Sequence, residues 1–152
     1  MKDRNFESGK RTFAAAQCIV CHRFGREGGG TGPNLTNLGT RFSLSDIVDT
    51  IVHPSRIIPG RYITTVLVTS SGEAFTGREI SSVDEVVTLM TDPADPAKRV
   101  HVKQADIVER SQSPVSTMPE GLLNTLNEQE ILDLLAYLVS QGNPHNPVFS
   151  SD

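Results

Sequence analysis

The chain has 152 residues, of which 37% are hydrophobic and none is tryptophan, and its formal net charge is −4. That length suits one ordinary domain, or a small one carrying an insertion, and the apolar content is lean for an unaided core. The acidic balance gives no electrostatic footprint for nucleic acid, and no stretch approaches the roughly 20 apolar residues of a membrane span.

Charge is unevenly spread. Residues 1–60 hold eight Lys/Arg against five Asp/Glu, residues 61–110 six against eight, and residues 111–152 none against five. The basic start and acidic end would attract if they pack together, although solvated faces of mixed sign would give the same counts.

In chain order, residues 6–17 read as a short helix with Phe6, Phe13 and Ala14 to Ala16 on its apolar side. Gly9 and Phe13 lie one turn apart, so a partner helix could approach closely at the glycine. Next come Cys18-Ile19-Val20-Cys21-His22, which include the chain's only two cysteines. Two thiols at this spacing followed by an imidazole form the attachment signature of a c-type haem. Each sulfur can form one thioether, and the tether then presents His22 as the proximal iron ligand. Half of a zinc site or a redox dithiol would use the same residues. A structural zinc site, however, usually has a second Cys or His pair, and His53, His101 and His145 are scattered. A redox dithiol belongs between a strand and a helix, whereas the residues before Cys18 read as helix.

Residues 23–42 read as loop, broken by Gly32-Pro33. Ser43 with Asp46 makes a capping box for a helix from Leu44 to about His53, with Leu44, Ile47, Val48 and Ile51 inward, and Pro54 ends it. From Ile57 to Arg110 the chain alternates in Val, Thr and Ile. Strands are expected near 62–69, 74–80, 85–91, 98–103 and 106–110, the first two as a hairpin, curling into a small barrel or bent sheet. Asn127 with Glu130 caps a last helix whose stripe is Ile131, Leu134, Leu135 and Leu138, closed by Gly142. Residues 143–152 read as a tail.

Apart from Met1, two methionines could supply a sixth ligand. Met118 sits in a polar loop before the last helix, and its soft thioether suits ferrous iron and raises the reduction potential. Met90 alternates within a strand and fits core packing. His53 suits a helix C-terminus, and His101 and His145 suit solvent.

At both ends the chain resembles class I c-type cytochromes. Gly9 and Phe13 match the family's Gly/aromatic pair, and Cys18 to His22 its haem site. Gly32-Pro33-Asn34-Leu35 resembles the loop whose proline carbonyl accepts a hydrogen bond from the proximal imidazole. Arg41 resembles the basic residue near the haem propionates, Met118-Pro119 the distal loop, and Asp133 to Leu138 the last helix. The resemblance covers residues 6–56 and 111–140. More closely, the chain is similar to a haem-binding domain often found at the C-terminus of large planctomycete and verrucomicrobial proteins. Cys21-His22-Arg23-Phe24-Gly25, Gly32-Pro33-Asn34-Leu35-Thr36, His53-Pro54-Ser55 and Met118-Pro119-Glu120-Gly121-Leu122 carry that likeness.

The resemblance implies a mainly α cytochrome c fold with an inserted small antiparallel β module, α+β overall. Residues 1–56 and 111–142 would form the haem-binding domain, 57–110 the inserted strand module and 143–152 a C-terminal tail. It implies one covalent haem c, with Cys18 and Cys21 as attachment points and His22 and Met118 as iron ligands. Pro33, Arg41, Phe13, Leu134 and Tyr137 would support the cofactor. The function implied is single-electron transfer without catalysis, to a redox partner that could be a fused or associated dehydrogenase. The rival is a haem enzyme or gas-ligand sensor in which Met118 is displaced. Such haem attachment belongs outside the cytoplasm. With no basic and apolar leader at the start, a mature chain or an excised domain is expected.

Overall fold

The computed structural model describes residues 1–150, which fall into two compact units. One comprises Met1–His53 and the segment from Glu120 onward; the other is Pro54–Pro119.

The first unit is helical. Helix α1 (Phe6–Ala15) is capped by the Asn5 side chain, which accepts the Ser8 N–H. A single turn, α2 (Cys18–Cys21), follows. The expected loop of residues 23–42 carries more order than its composition signals. Strands β1 (Arg23–Phe24) and β2 (Glu27–Gly28) pair, and Leu38–Arg41 forms a short helix, α3. Helix α4 (Leu44–Val52) starts from the expected capping box, with Ser43 and Asp46 bonding each other's backbone N–H. Helix α5 (Glu128–Val139) starts from the Asn127–Glu130 box. It stops three residues before Gly142, where Gln141 and Gly142 take positive φ.

Helix α1 packs on α5 at Gly9. A Cβ there would lie 2.3 Å from the Asp133 carbonyl oxygen and 2.7 Å from Tyr137 Cβ, so only glycine permits this crossing. Phe13, Phe24, Ile47, Leu134, Leu135, Tyr137 and Leu138 form the buried core. Tyr137 sits among Phe6, Phe13 and Phe24, with ring centroids 5.3, 5.8 and 4.8 Å away. Asp133 is buried in the same helix, and its carboxylate accepts the Asn5 N–H at 3.0 Å and faces Arg4 at 3.9 Å. Those two partners meet the requirement that a buried charge be bonded. The expected tail packs back: a 3-10 turn at Pro147–Phe149 sets Phe149 edge-on to Phe6, and the Arg4 N–H bonds the Val148 carbonyl. Residues 151 and 152 of that segment lie outside the described residues.

The second unit is one antiparallel five-stranded sheet. Its strands are β3 (Thr65–Thr69), β4 (Ala74–Val83), β5 (Val86–Met90), β6 (Arg99–Lys103) and β7 (Ile107–Gln112), in the order β6-β5-β4-β3-β7. The first two form the expected hairpin. A 3-10 turn, Gln104–Asp106, joins the two edge strands. Four strand spacings in a flat sheet span roughly 19 Å, whereas the four residue steps from Lys103 to Ile107 reach about 14 Å at most. The sheet must therefore curl. Register shifts between Val68 and Thr69 and between Glu79 and Ser81 help it bend. Arg110 of β7 pairs with Glu79 of β4 across the intervening β3. Leu67, Val87, Leu89 and Val102 fill the interior. No helix among the described residues is long and apolar enough to cross a membrane.

Candidate functional site

The expected attachment residues occupy one turn and the bond beyond it. Gln17 opens α2 in the left-handed region, φ 60°, breaking the chain direction between α1 and the cysteines. Cys18 and Cys21 are partly buried free thiols. Burial pushes the Cys18 thiol up to about 11, a backbone hydrogen bond opposing and the neighbouring Cys21 adding to the shift. His22 leaves the turn in extended conformation, its N–H bonded to the Cys18 carbonyl at 2.9 Å.

Nδ1 of His22 lies 2.8 Å from the Pro33 carbonyl oxygen. A carbonyl only accepts, so Nδ1 carries the proton and the ring's lone pair is on Nε2. Burial lowers the His22 pKa, only partly offset by the Pro33 bond. Burial, the larger effect, favours the neutral imidazole, the form that binds a metal.

The loop from Gly28 to Pro33 wraps tightly around this turn. Gly29 donates to the Ile19 carbonyl and Gly32 to that of Cys21, at 2.9 and 2.8 Å. A Cβ on Gly32 would meet His22 Cε1 and Nδ1 at 2.9 Å, and one on Gly29 would meet the Val20 oxygen at 2.0 Å. Sequence reasoning treated Gly28-Gly29-Gly30 only as loop; the triple glycine was the available signal that backbone passes against backbone here.

Of the other expected residues, Phe13, Leu134 and Tyr137 lie in the core of the same unit. Arg41 ends α3, exposed, with its guanidinium 5.5 Å from the Phe42 ring centre. Met118 belongs to the second unit. It is half-buried, its N–H donates to Ser116 Oγ at 3.1 Å, and the Ser116 N–H in turn reaches Ser55 Oγ at 3.1 Å. Met90 is buried in β5, as core packing requires. His53 is the exposed C-cap residue of α4, and His145 is exposed. His101 is exposed too, with Nδ1 3.0 Å from Thr88 Oγ1.

The donor set fits a covalently held haem. Two thiols sit one helical turn apart, the adjoining imidazole presents Nε2, and no described group of three or more His, Cys, Asp or Glu side chains could hold a metal ion. The surrounding surface fits as well. Val20, between the two thiols, is 41% exposed, an apolar side chain at the surface of the attachment turn.

A family model for cytochrome c matches residues 6–86, just over half of the chain, and the chain belongs to the cytochrome c family. Membership brings a covalently bound c-type haem and haem-based electron transfer. The match runs from α1 through the attachment turn into the start of β5, while α5 lies beyond it. No curated protein matches the chain.

Proposed function

We propose that the protein is a single-electron carrier holding one haem, attached through Cys18 and Cys21 and ligated by His22 Nε2 and Met118. The observation that carries this reading is the 2.8 Å contact between His22 Nδ1 and the Pro33 carbonyl beside the two thiols. It fixes tautomer and ring orientation and raises the basicity of Nε2. A bound haem supplies reversible one-electron chemistry at its iron.

The chain's own residues then set the terms of transfer. Cys18 and Cys21 anchor the cofactor, and Pro33 prevents the imidazole from rotating between redox states. Phe13, Leu134 and Tyr137 make the wall rigid and apolar, which disfavours extra positive charge and raises the potential. Met118, a soft donor, acts in the same direction. Arg41 would face the haem carboxylates.

On this reading Pro54–Pro119 is an insertion into a cytochrome c fold, and the likeness at Cys21 to Gly25 and Met118 to Leu122 supports kinship with the planctomycete and verrucomicrobial haem-binding domains. The partner would be another redox protein, such as an associated dehydrogenase, met outside the cytoplasm, where such haem attachment takes place.

Ultraviolet–visible spectra of the oxidised and reduced protein, with and without carbon monoxide, test the ligand set. A reduced protein that ignores carbon monoxide, and a Met118→Ala variant that binds it and shows a lowered reduction potential, are the expected results. Carbon monoxide binding by the unaltered protein would refute Met118 ligation and favour a sensor or enzyme. Cys18→Ala with Cys21→Ala should leave no haem attached after acid–acetone extraction, and colour that survives would refute the attachment site.

A further inference from the structure

We propose that Asn34 and Thr36 are positioning residues for the proximal ligand, forming a latch that holds the Pro33 carbonyl against His22. The inference rests on the haem reading above and adds two side chains to it. Thr36 Oγ1 donates to Asn34 Oδ1 at 2.6 Å and accepts the Gly25 N–H at 2.9 Å. Asn34 Oδ1 also accepts the Thr36 N–H at 2.9 Å.

Gly25 stands in the β1–β2 turn, three residues beyond His22, so the Thr36 hydroxyl joins the loop carrying Pro33 to the strand leaving His22. The Leu35 N–H adds a backbone bond to the Arg23 carbonyl at 2.9 Å, and on the other flank Gly32 bonds Cys21 at 2.8 Å. Pro33 itself has no N–H to anchor it. Apart from the His22 bond, its carbonyl is therefore positioned through its neighbours, and the Thr36 side chain ties the downstream neighbour to the ligand's own strand. Asn34 fixes the hydroxyl's orientation by taking its proton, which leaves the oxygen lone pairs for Gly25.

Tightening the Nδ1–H···O=C bond makes Nε2 a stronger donor, and a stronger donor favours the higher charge on iron. Releasing the latch therefore raises the reduction potential.

The test uses the full chain, with and without haem. Thr36→Val removes the hydroxyl at nearly constant volume. At fixed ambient potential the ferrous-to-ferric ratio should rise about threefold to tenfold, the upper end corresponding to about 59 mV for one electron. Asn34→Ala should move it in the same direction, and Thr36→Ser should restore the original value. Amide exchange at Gly25 should quicken in Thr36→Val and be normal in Thr36→Ser. Unchanged potentials in haem-loaded Thr36→Val and Asn34→Ala would overturn the latch. If the unaltered protein takes no covalent haem, the functional reading fails instead. The latch is then judged on haem-free protein, where a Gly25 amide equally protected with valine or threonine at position 36 overturns it.

Discussion

Replacing Gly32 by alanine puts the wrapped loop to its hardest test. The added Cβ would lie 2.9 Å from both Cε1 and Nδ1 of His22 and 3.2 Å from the Cys21 oxygen. Comfortable carbon contacts begin near 3.5 Å, so the ring and loop must separate by roughly 0.6 Å. The His22–Pro33 bond of 2.8 Å spans the same gap. Stretched by that amount it reaches about 3.4 Å, outside the normal range for N–H···O. Overpacking costs about 1–3 kcal/mol, and a weakened hydrogen bond about 1 kcal/mol. A stiffer unfolded chain returns about 0.4–1 kcal/mol. The net loss should be about 1–3 kcal/mol, read from urea unfolding by far-ultraviolet circular dichroism. The same loop holds its own control, because a Cβ on Gly30 meets nothing within 4 Å. Gly30→Ala should be neutral or stabilising by up to about 1 kcal/mol. In haem-loaded protein only Gly32→Ala should raise the potential. Equal stability and equal potential in the two variants would refute the reasoning.

Other substitutions probe the frame around the site. Gly9→Ala drives a Cβ into backbone at 2.3 Å, and despite a helix-propensity gain of about 1 kcal/mol it should destabilise by about 2 kcal/mol or more; unchanged urea unfolding would refute the α1–α5 crossing. Leu89→Ala empties a fully buried position in the sheet and should cost about 2–5 kcal/mol, with faster amide exchange concentrated in β4, β5 and β6; undisturbed exchange there would refute the packing. The Ser43 hydroxyl and N–H hold the exposed Asp46 carboxyl below the usual carboxylate range, the hydroxyl being the larger influence. Because the folded value is the lower one, its contribution is complete above the unfolded value, near 3.9, and disappears as pH falls through the folded one. Asp46→Asn should flatten that acid-side slope in α4, and an unaltered slope would refute the capping role.

The longer helices α1, α4 and α5 were legible because their signals are local. Capping boxes at Ser43–Asp46 and Asn127–Glu130 and the stripe from Ile131 to Leu138 each fit within a few turns, and the structure uses them all. The five strands were legible through period-two alternation, and their ends less so. Strand β4 runs on to Val83, past the expected end at residue 80, because the register shift near Ile80 breaks the alternation. Its turn is also silent in sequence: Asp84 and Glu85 both take positive φ without a glycine or asparagine to announce it. At the site, Cys18, Cys21, His22 and Pro33 were readable by motif and resemblance. Asn34 and Thr36 were not, since a polar loop residue announces a turn but not which distant N–H it will accept.

The long strand segment can interrupt a small helical fold because its ends meet. The Ser113 N–H bonds the Thr64 carbonyl at 2.9 Å, and the Ser116 N–H reaches Ser55 Oγ at 3.1 Å. A sheet stitched at its two exits closes its own long loop, so the helical chain on either side meets a short connection and not a floppy one. The same stitch bears on the proposed distal ligand. Met118 stands two residues beyond Ser116 and is tied to it through its own N–H. Proximal geometry is thus set by contacts within the residues from Cys18 to Thr36, while the position of Met118 is inherited from the closure of the sheet.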